Sequence, residues 1–340
     1  MMPDLLSADL FGTSLWLWLA FATIVVALLA FDLGVLRRDD RVIGVGESLL
    51  LTAGYVGVAL AFGAWVWWVK GAGSGVEFLT GFLIEKALSM DNVFAIAMSF
   101  AYFGIPAQYQ HRVLLTGILG VIVLRAVLIG LGATLVSQFS WILYVFGLFL
   151  VITGIKMWRM GGHQVDIGNN PVLKLLRRYL NVTPALHGNA FFVRHADPAS
   201  GRTGLFATPL FLALCLIEAV DLVFAVDSVP AIFSITTDPF IVYTSNIFAI
   251  LGLRALYFAL AAMIDRFAYL KAALALVLIF IGAKIFLVGF VGKIPAVVSL
   301  GVTFALLAGG VALSLWKTRT LGSGSAAAAR EADCANVRVC

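Results

Sequence analysis

The chain has 340 residues, 62% of them hydrophobic and only 12% charged, with a net charge of +5. Ordinary soluble domains carry about 25% charged residues, so this composition excludes a soluble enzyme and indicates an all-α, polytopic membrane protein. The basic surplus gathers in a few loops, the pattern of membrane topology rather than of nucleic-acid binding, and no nucleic-acid partner is expected.

Hydropathy predicts nine transmembrane helices, near 14–36, 48–69, 77–103, 112–135, 139–160, 206–234, 241–264, 269–290 and 296–316, on the criterion of about 20 apolar residues per crossing. The first stretch is full length and has no basic flank before it, so it reads as a span and not as a cleaved signal. Connections one–two, three–four, five–six and seven–eight, with the tail, hold sixteen Lys and Arg; the alternate connections hold only Lys70 and Lys293. This alternation predicts an N-terminus outside and a C-terminus in the cytoplasm, in the cell's inner (plasma) membrane. The chain then divides into an extracytoplasmic N-terminus (1–13), two leading spans (14–69), a three-span unit (77–160), a cytoplasmic loop (161–205), a second three-span unit (206–290), a last span (296–316) and a cytoplasmic tail (317–340). In the loop, Val172–Leu180 alternates apolar and basic residues at helical spacing and reads as an interfacial helix against anionic lipid. Phe191-Phe-Val and Gly204-Leu-Phe flank Asp197–Gly201 as a small hairpin. The Gly/Ser/Ala-rich end after Leu321 is expected to be disordered. Three widely spaced cysteines, Cys215, Cys334 and Cys340, form neither a disulfide framework nor a zinc site.

Two segments spell nearly the same message: Glu85-Lys-Ala-Leu-Ser-Met-Asp91-Asn-Val-Phe-Ala-Ile and Asp221-Leu-Val-Phe-Ala-Val-Asp227-Ser-Val-Pro-Ala-Ile. Each sets a carboxylate six residues before an Asp and a polar residue (Asn92, Ser228) after it. An ionisable residue at the bilayer centre costs about 2.5–3.5 kcal/mol on insertion scales, so such residues mark ion or proton paths. The likeness continues: Leu124-Arg125-Ala126 recurs as Leu253-Arg254-Ala255, Phe139-Ser-Trp as Phe267-Ala-Tyr, and Gly154-Ile-Lys156 as Gly282-Ala-Lys284. Spans three to five therefore resemble spans six to eight. Three is an odd number, so the second copy is inserted upside down, the inverted repeat of secondary transporters. Chance likeness among Leu/Ala/Val-rich helices is the competing explanation, and it is disfavoured because the matched positions include scarce charges.

Six residues turn about 600° on a helix, so Glu85 and Asp91, like Asp221 and Asp227, point about 120° apart. Glu218 and Asp221, three apart, face the same way. Pro230 is expected to loosen the helix beside Asp227 and free backbone carbonyls as ligands. Asp91, Asn92, Asp227 and Ser228 with such carbonyls make an all-oxygen shell suited to Mg²⁺, Ca²⁺ or Mn²⁺; Met90 adds a thioether or simply packs. Glu85, Glu218 and Asp221 read as gating, proton-relay or second-site acids, the basis for metal/proton antiport. Arg125 and Arg254 read as neutralising partners, Lys156 as a snorkelling base, and Asp32, close to Arg37 and Arg38, as interfacial. The histidines lie outside the span interiors, against a zinc or copper path.

These residues resemble the TerC family of integral membrane proteins, named for tellurium resistance and including the Alx proteins. Glu85…Leu88-Ser89-Met90-Asp91-Asn92 looks like its first motif and Glu218-Ala-Val-Asp221-Leu-Val-Phe-Ala-Val-Asp227-Ser-Val-Pro-Ala-Ile-Phe its second; Ala207-Thr-Pro-Leu-Phe-Leu-Ala and His187-Gly-Asn-Ala-Phe-Phe also match, and the likeness runs to about Trp316. The resemblance implies manganese efflux, with Glu85, Asp91, Asn92, Glu218, Asp221, Asp227 and Ser228 as transport residues. Mn²⁺ then enters as transported ion, with no prosthetic group and no enzymatic activity expected. The alternative it carries is a membrane-assembly or metalation partner, acting through loop 161–205 on membrane proteins or exported metalloenzymes. An intramembrane aspartyl protease is disfavoured because Asp91 follows Leu-Ser-Met and Asp227 follows Phe-Ala-Val, not Gly-x-Gly; an uncharged-solute carrier has no use for five acids.

Overall fold

A computed structural model of the chain describes residues 9–10, 12–36, 44–139, 141–159, 171–196, 203–261, 270–291, 295–314 and 316. The tail beyond 316 and the tip of the hairpin at 197–201 lie outside these. A two-residue hairpin, β1 (Asp9–Leu10) and β2 (Thr13–Ser14), leads into α1 (Leu15–Leu36), α2 (Val45–Lys70), α3 (Ala72–Phe103), α4 (Ala107–Gln138) and α5 (Ile142–Arg159). The short α6 (Pro171–Tyr179) and the antiparallel pair β3 (Phe192–Ala196) and β4 (Thr203–Ala207) follow. The second half holds α7 (Pro209–Phe233), α8 (Pro239–Ile250), α9 (Leu253–Ala261), α10 (Leu270–Val291) and α11 (Ala296–Ser314).

Seven stretches among the described residues are long and apolar enough to cross a membrane: α1, α2, α4, α5, α7, the α8–α9 run Pro239–Leu260, and α11. Of the other two expected spans, α3 has the length but carries Glu77, Glu85, Lys86 and Asp91, and the described apolar part of α10 is Ala272–Leu287. Helices dominate because hydrocarbon offers backbone amides no partner, so each span must satisfy its own. Large apolar side chains stand exposed along outer faces, for example Leu119, Val123, Val127 and Leu131 on α4. On a soluble protein such patches mark contact surfaces or aggregation; here lipid covers them.

The interior is built around α8, whose residues Phe240–Val242 and Thr244–Ile250 are all buried. α3 packs on α8 and α7, α4 packs on α7, and α5 lies along α10 in the most extensive helix pair of the molecule. Proline at its first position and Asp238, whose side chain accepts the Phe240 amide at 2.9 Å, start α8; Lys70 bonds Asp238 and the Thr13 hydroxyl, tying the N-terminal hairpin to this cap.

One backbone expectation is corrected. Pro230 does not open its helix: α7 runs without a break from Pro209 to Phe233. Pro230 removes a single N–H bond, to the Val226 carbonyl, and the residues after it continue the helix to Phe233. The broken span is the next one. Between α8 and α9 the chain leaves the helix at Leu251 and turns at Gly252, with φ of +81°. Only glycine suits that site, because the conformation is left-handed and a Cβ would lie 2.7 Å from Tyr55 Cδ2.

Glycine also sets the α5–α10 seam. A Cβ on Gly282 would lie 2.5 Å from the Gly147 carbonyl oxygen, and one on Gly154 2.8 Å from that of Ala275. Small residues let two backbones approach this closely, and dispersion replaces the hydrophobic drive that lipid does not supply. Gly282→Ala is therefore expected to destabilise the protein by about 1–3 kcal/mol, read as a lower thermal midpoint in detergent. Gly130→Ala, at a site with nothing within 4 Å of the new methyl, does not lower it.

Candidate functional site

Glu85 and Asn92 on α3, Arg125 on α4, Asp221 and Ser228 on α7 and Asn246 on α8 converge inside the helix bundle. Arg125 is the hub, with 1% of its surface exposed. Its Nη1 donates to Glu85 Oε1, to Ser228 Oγ at 2.8 Å and to Asn246 Oδ1 at 3.3 Å, and its Nη2 reaches Asp221 Oδ1 at 3.5 Å. Asn92 Nδ2 donates to the same Asp221 oxygen at 2.7 Å. A guanidinium suits this place: its planar fork serves acceptors on three other helices at once, which an ammonium on a flexible stem does less well.

The acids are not fully occupied. Glu85 Oε2, Asp221 Oδ2 and Asn92 Oδ1 are buried and take no hydrogen bond from the described residues. Glu218, one turn before Asp221, keeps both carboxylate oxygens buried and unpartnered, pressed on the bare backbone of α4, where a Cβ on Gly120 would lie 2.7 Å from Oε1. Lys86 turns away from the cluster and donates to the Ala249 carbonyl at 3.2 Å, at the broken end of α8, where a cation complements the helix dipole.

The structure thus brings together Glu85, Asn92, Asp221 and Ser228, with Glu218 one turn along α7. Asp91 and Asp227 follow the helix backbone beside Asn92 and Ser228, but their side chains lie outside the described part of the structure. Among the described residues no group of three or more His, Cys, Asp and Glu side chains is arranged around a common metal position. The reason is visible: a guanidinium stands between Glu85 and Asp221. Asn246 does not emerge from the motif comparison. Its signal is Thr244-Ser245-Asn246, three successive polar residues inside an apolar span.

The second Leu-Arg-Ala copy behaves differently. Arg254 Nη2 bonds Asp32 Oδ1, which also accepts the Tyr55 hydroxyl at 2.8 Å, and Nη1 meets His111 Nδ1 at 2.9 Å. Asp32 is therefore a buried ion-pair partner of Arg254, a role its neighbours Arg37 and Arg38 do not suggest. A mostly apolar pocket, walled by Ile96, Ile118 and Ile217, has Asn92 and Asp221 in its lining together with Arg254.

Helices that cross a bilayer around a buried network of acids, amides and one arginine define a polytopic integral membrane protein with an intramembrane polar site. The match to known proteins is correspondingly specific. The model of the integral membrane protein TerC family matches residues 70–321, and the chain belongs to that family. It is 50% identical over 298 residues to a Rickettsia bellii protein named "Uncharacterized membrane protein", covering 88% of this chain and 96% of that one. It is 47% identical over 315 residues to the Escherichia coli (strain K12) protein named "Putative membrane-bound redox modulator Alx", covering 90% and 95%. No solved structure matches the chain.

The Asp32–Arg254 pair makes a direct prediction. Asp32→Ala leaves a buried guanidinium without its carboxylate and is expected to cost about 3–5 kcal/mol, as is Arg254→Ala. The double variant should cost clearly less than the two together, because each single change strands the other charge. Chemical denaturation in mixed micelles measures this, and strictly additive losses would show that the pair is not coupled.

Proposed function

We propose that this protein is a secondary transporter that exports Mn²⁺ or a similar divalent cation from the cytosol, with protons as the counter-ion. The observation that carries the reading is a charge imbalance in a dry place. Glu85, Glu218 and Asp221 bring three formal negative charges against the single positive charge of Arg125. Two charges are left over, and Asp91 and Asp227 of the same motifs raise the surplus to four, which a divalent ion and protons neutralise together. Unpaired charge is costly inside a membrane and persists where function needs it. Beside two unpartnered nitrogens, Arg125 Nε and Asn246 Nδ2, the cluster leaves the oxygens Glu85 Oε2, Asn92 Oδ1 and Asp221 Oδ2 open, the ligand chemistry of Mn²⁺, Ca²⁺ and Mg²⁺. Asp91 and Asp227 complete the shell in this reading.

Nine spans with an inverted repeat form part of the same proposal, and the packing supports it. If α3, α4 and α5 correspond to α7, α8–α9 and α10, the contact of α3 with α8 has its counterpart in that of α7 with α4, while α3–α7 and α5–α10 are self-paired. The seam repeats this residue for residue: Gly154 meets Ala275 O and Ile279, as Gly282 meets Gly147 O and Val151. In this reading the N-terminus lies outside and the C-terminus in the cytoplasm, and the site sits where the copies meet.

The second reading, a partner protein acting through loop 161–205, draws on the exposed Leu175 and Tyr179 of α6 beside Lys174, Arg177 and Arg178. It leaves the buried charge imbalance without a purpose. The words "redox modulator" in the name of the Alx relatives find little chemistry in the site, which holds carboxylates, amides and a guanidinium; the described thiol is Cys215 on α7.

Mn²⁺ entry into dye-loaded proteoliposomes tests the proposal, with Ca²⁺ and Mg²⁺ as competitors. Wild-type protein is expected to carry Mn²⁺, and Asp91→Ala, Asp227→Ala and Glu85→Ala each to reduce the flux at least about 100-fold, the scale of losing a buried charged ligand. Well-folded wild-type protein that moves no divalent ion would sink the transporter reading and turn attention to the loop.

A further inference from the structure

We infer that Arg125 is a tethered counter-cation: it takes the place of the transported ion between Glu85 and Asp221 when the site is empty, and so lets the cargo-free carrier return across the membrane. The inference rests on the transport reading above and assigns a role to a residue that binds no cargo itself.

Three observations carry it. First, Arg125 bonds one oxygen each of Glu85 and Asp221 and leaves the other oxygen of each buried and unpartnered. A guanidinium placed only to neutralise two carboxylates for folding would be expected to occupy them through its paired fork. Here Nη1 and Nη2 are shared among four acceptors, Nε is buried without one, and one face of each acid remains available. Second, Arg125 has neutral acceptors to fall back on. Ser228 Oγ and Asn246 Oδ1 bond the same Nη1 that serves Glu85. A dication that takes over the acids repels the guanidinium, which retains hydrogen bonds on these uncharged oxygens and is not stranded. Third, the matching arginine has no such post. Arg254 holds the same place in its Leu-Arg-Ala copy, yet its carboxylate is Asp32 of α1, outside the acids of both motifs. Neutralising a buried helix is thus achieved in this chain without entering the site; Arg125 enters it.

The consequence is kinetic. A carrier with vacant acids must move their charge through hydrocarbon on its return, unless another cation compensates it. Protons supply part of this and Arg125 the rest. Arg125 travels with the carrier in both states, so its effect is local: without it the bound ion still bridges Glu85 and Asp221 and the loaded carrier reorients in both directions, whereas in the empty one nothing stands between the two acids and it does not. Exchange of ion for ion survives, whereas net efflux stops.

The experiment uses proteoliposomes loaded with radiolabelled Mn²⁺ in neutral buffer, where protons are equally available to wild type and variants. Release into Mn²⁺-free medium reports net efflux, and release against external unlabelled Mn²⁺ reports exchange. Wild type is expected to do both. Arg125→Gln, which keeps a hydrogen-bond donor and loses the charge, should retain exchange and lower the ratio of net efflux to exchange at least about tenfold. Arg125→Lys, which keeps the charge, should hold that ratio within about twofold of wild type, whatever it does to the absolute rates. Equal loss of both processes in monodisperse Arg125→Gln protein would mark a merely structural arginine and overturn the inference; so would Arg125→Lys behaving as Arg125→Gln. If Arg125→Gln does not fold, the lysine variant alone decides, and a fall of about tenfold in its ratio overturns the inference. Wild-type protein that moves Mn²⁺ in neither assay overturns the transport reading itself, an outcome separate from any result with the variants.

Discussion

A single guanidinium organises the interior of this protein. Arg125 is almost wholly buried, and its hydrogen bonds reach α3, α7 and α8 from α4. Removing a charge of this kind from water costs several kcal/mol even after relaxation, and only close, charge-assisted bonds return it. The four helices must therefore meet at one point, and their registers are fixed there. The glycine-lined face of α4 against Glu218, the close α5–α10 seam and the wholly enclosed α8 all serve that convergence.

The two halves of the chain share a vocabulary but differ in its use. Leu124-Arg125-Ala126 lies in an unbroken helix, whereas Leu253-Arg254-Ala255 follows the turn at Gly252. That turn ends α8 at mid-span, leaves its terminal carbonyls open to Lys86, and swings Arg254 towards Asp32 and His111. Of the two matched arginines, one sits in the acid cluster and the other clamps α1. Discontinuous helices of this kind suit a membrane interior only where neighbouring side chains satisfy the freed backbone, as Lys86 does here.

The bilayer explains the rest of the distribution. Outer helix faces carry leucine, valine and aromatic residues in the open, because hydrocarbon and not water lies against them. Glu85, Arg125, Asp221, Arg254 and Asp32 are found inside, paired with one another, and Lys86 with backbone. Among the described residues the large departure is the acid cluster, where buried carboxylate oxygens of Glu85, Glu218 and Asp221 take no hydrogen bond. An imbalance so costly is the most informative feature of the fold.

Much of this was legible in the sequence, because the membrane imposes a simple code. Long apolar stretches announce helices, basic loops alternate, and a carboxylate within an apolar stretch stands out against its background; Glu85, Asn92, Asp221 and Ser228 were recognisable on those grounds, and they do meet. The partners of each charge were not legible. Periodicity says which residues share a helix face, not which helix lies opposite. Thus Asp32 looked interfacial beside Arg37 and Arg38 but pairs with Arg254, 222 residues away, and Arg125 and Arg254, identical in local sequence, have unlike partners. Proline drew the eye to Pro230, yet the helix breaks at Gly252, whose left-handed backbone a residue without a Cβ adopts freely and where the Tyr55 ring leaves no room for one. The sequence alone determined which segments are long and apolar enough for a membrane and which rare charges go with them; only the tertiary structure decided who faces whom, since that depends on helix packing over distances local sequence does not encode.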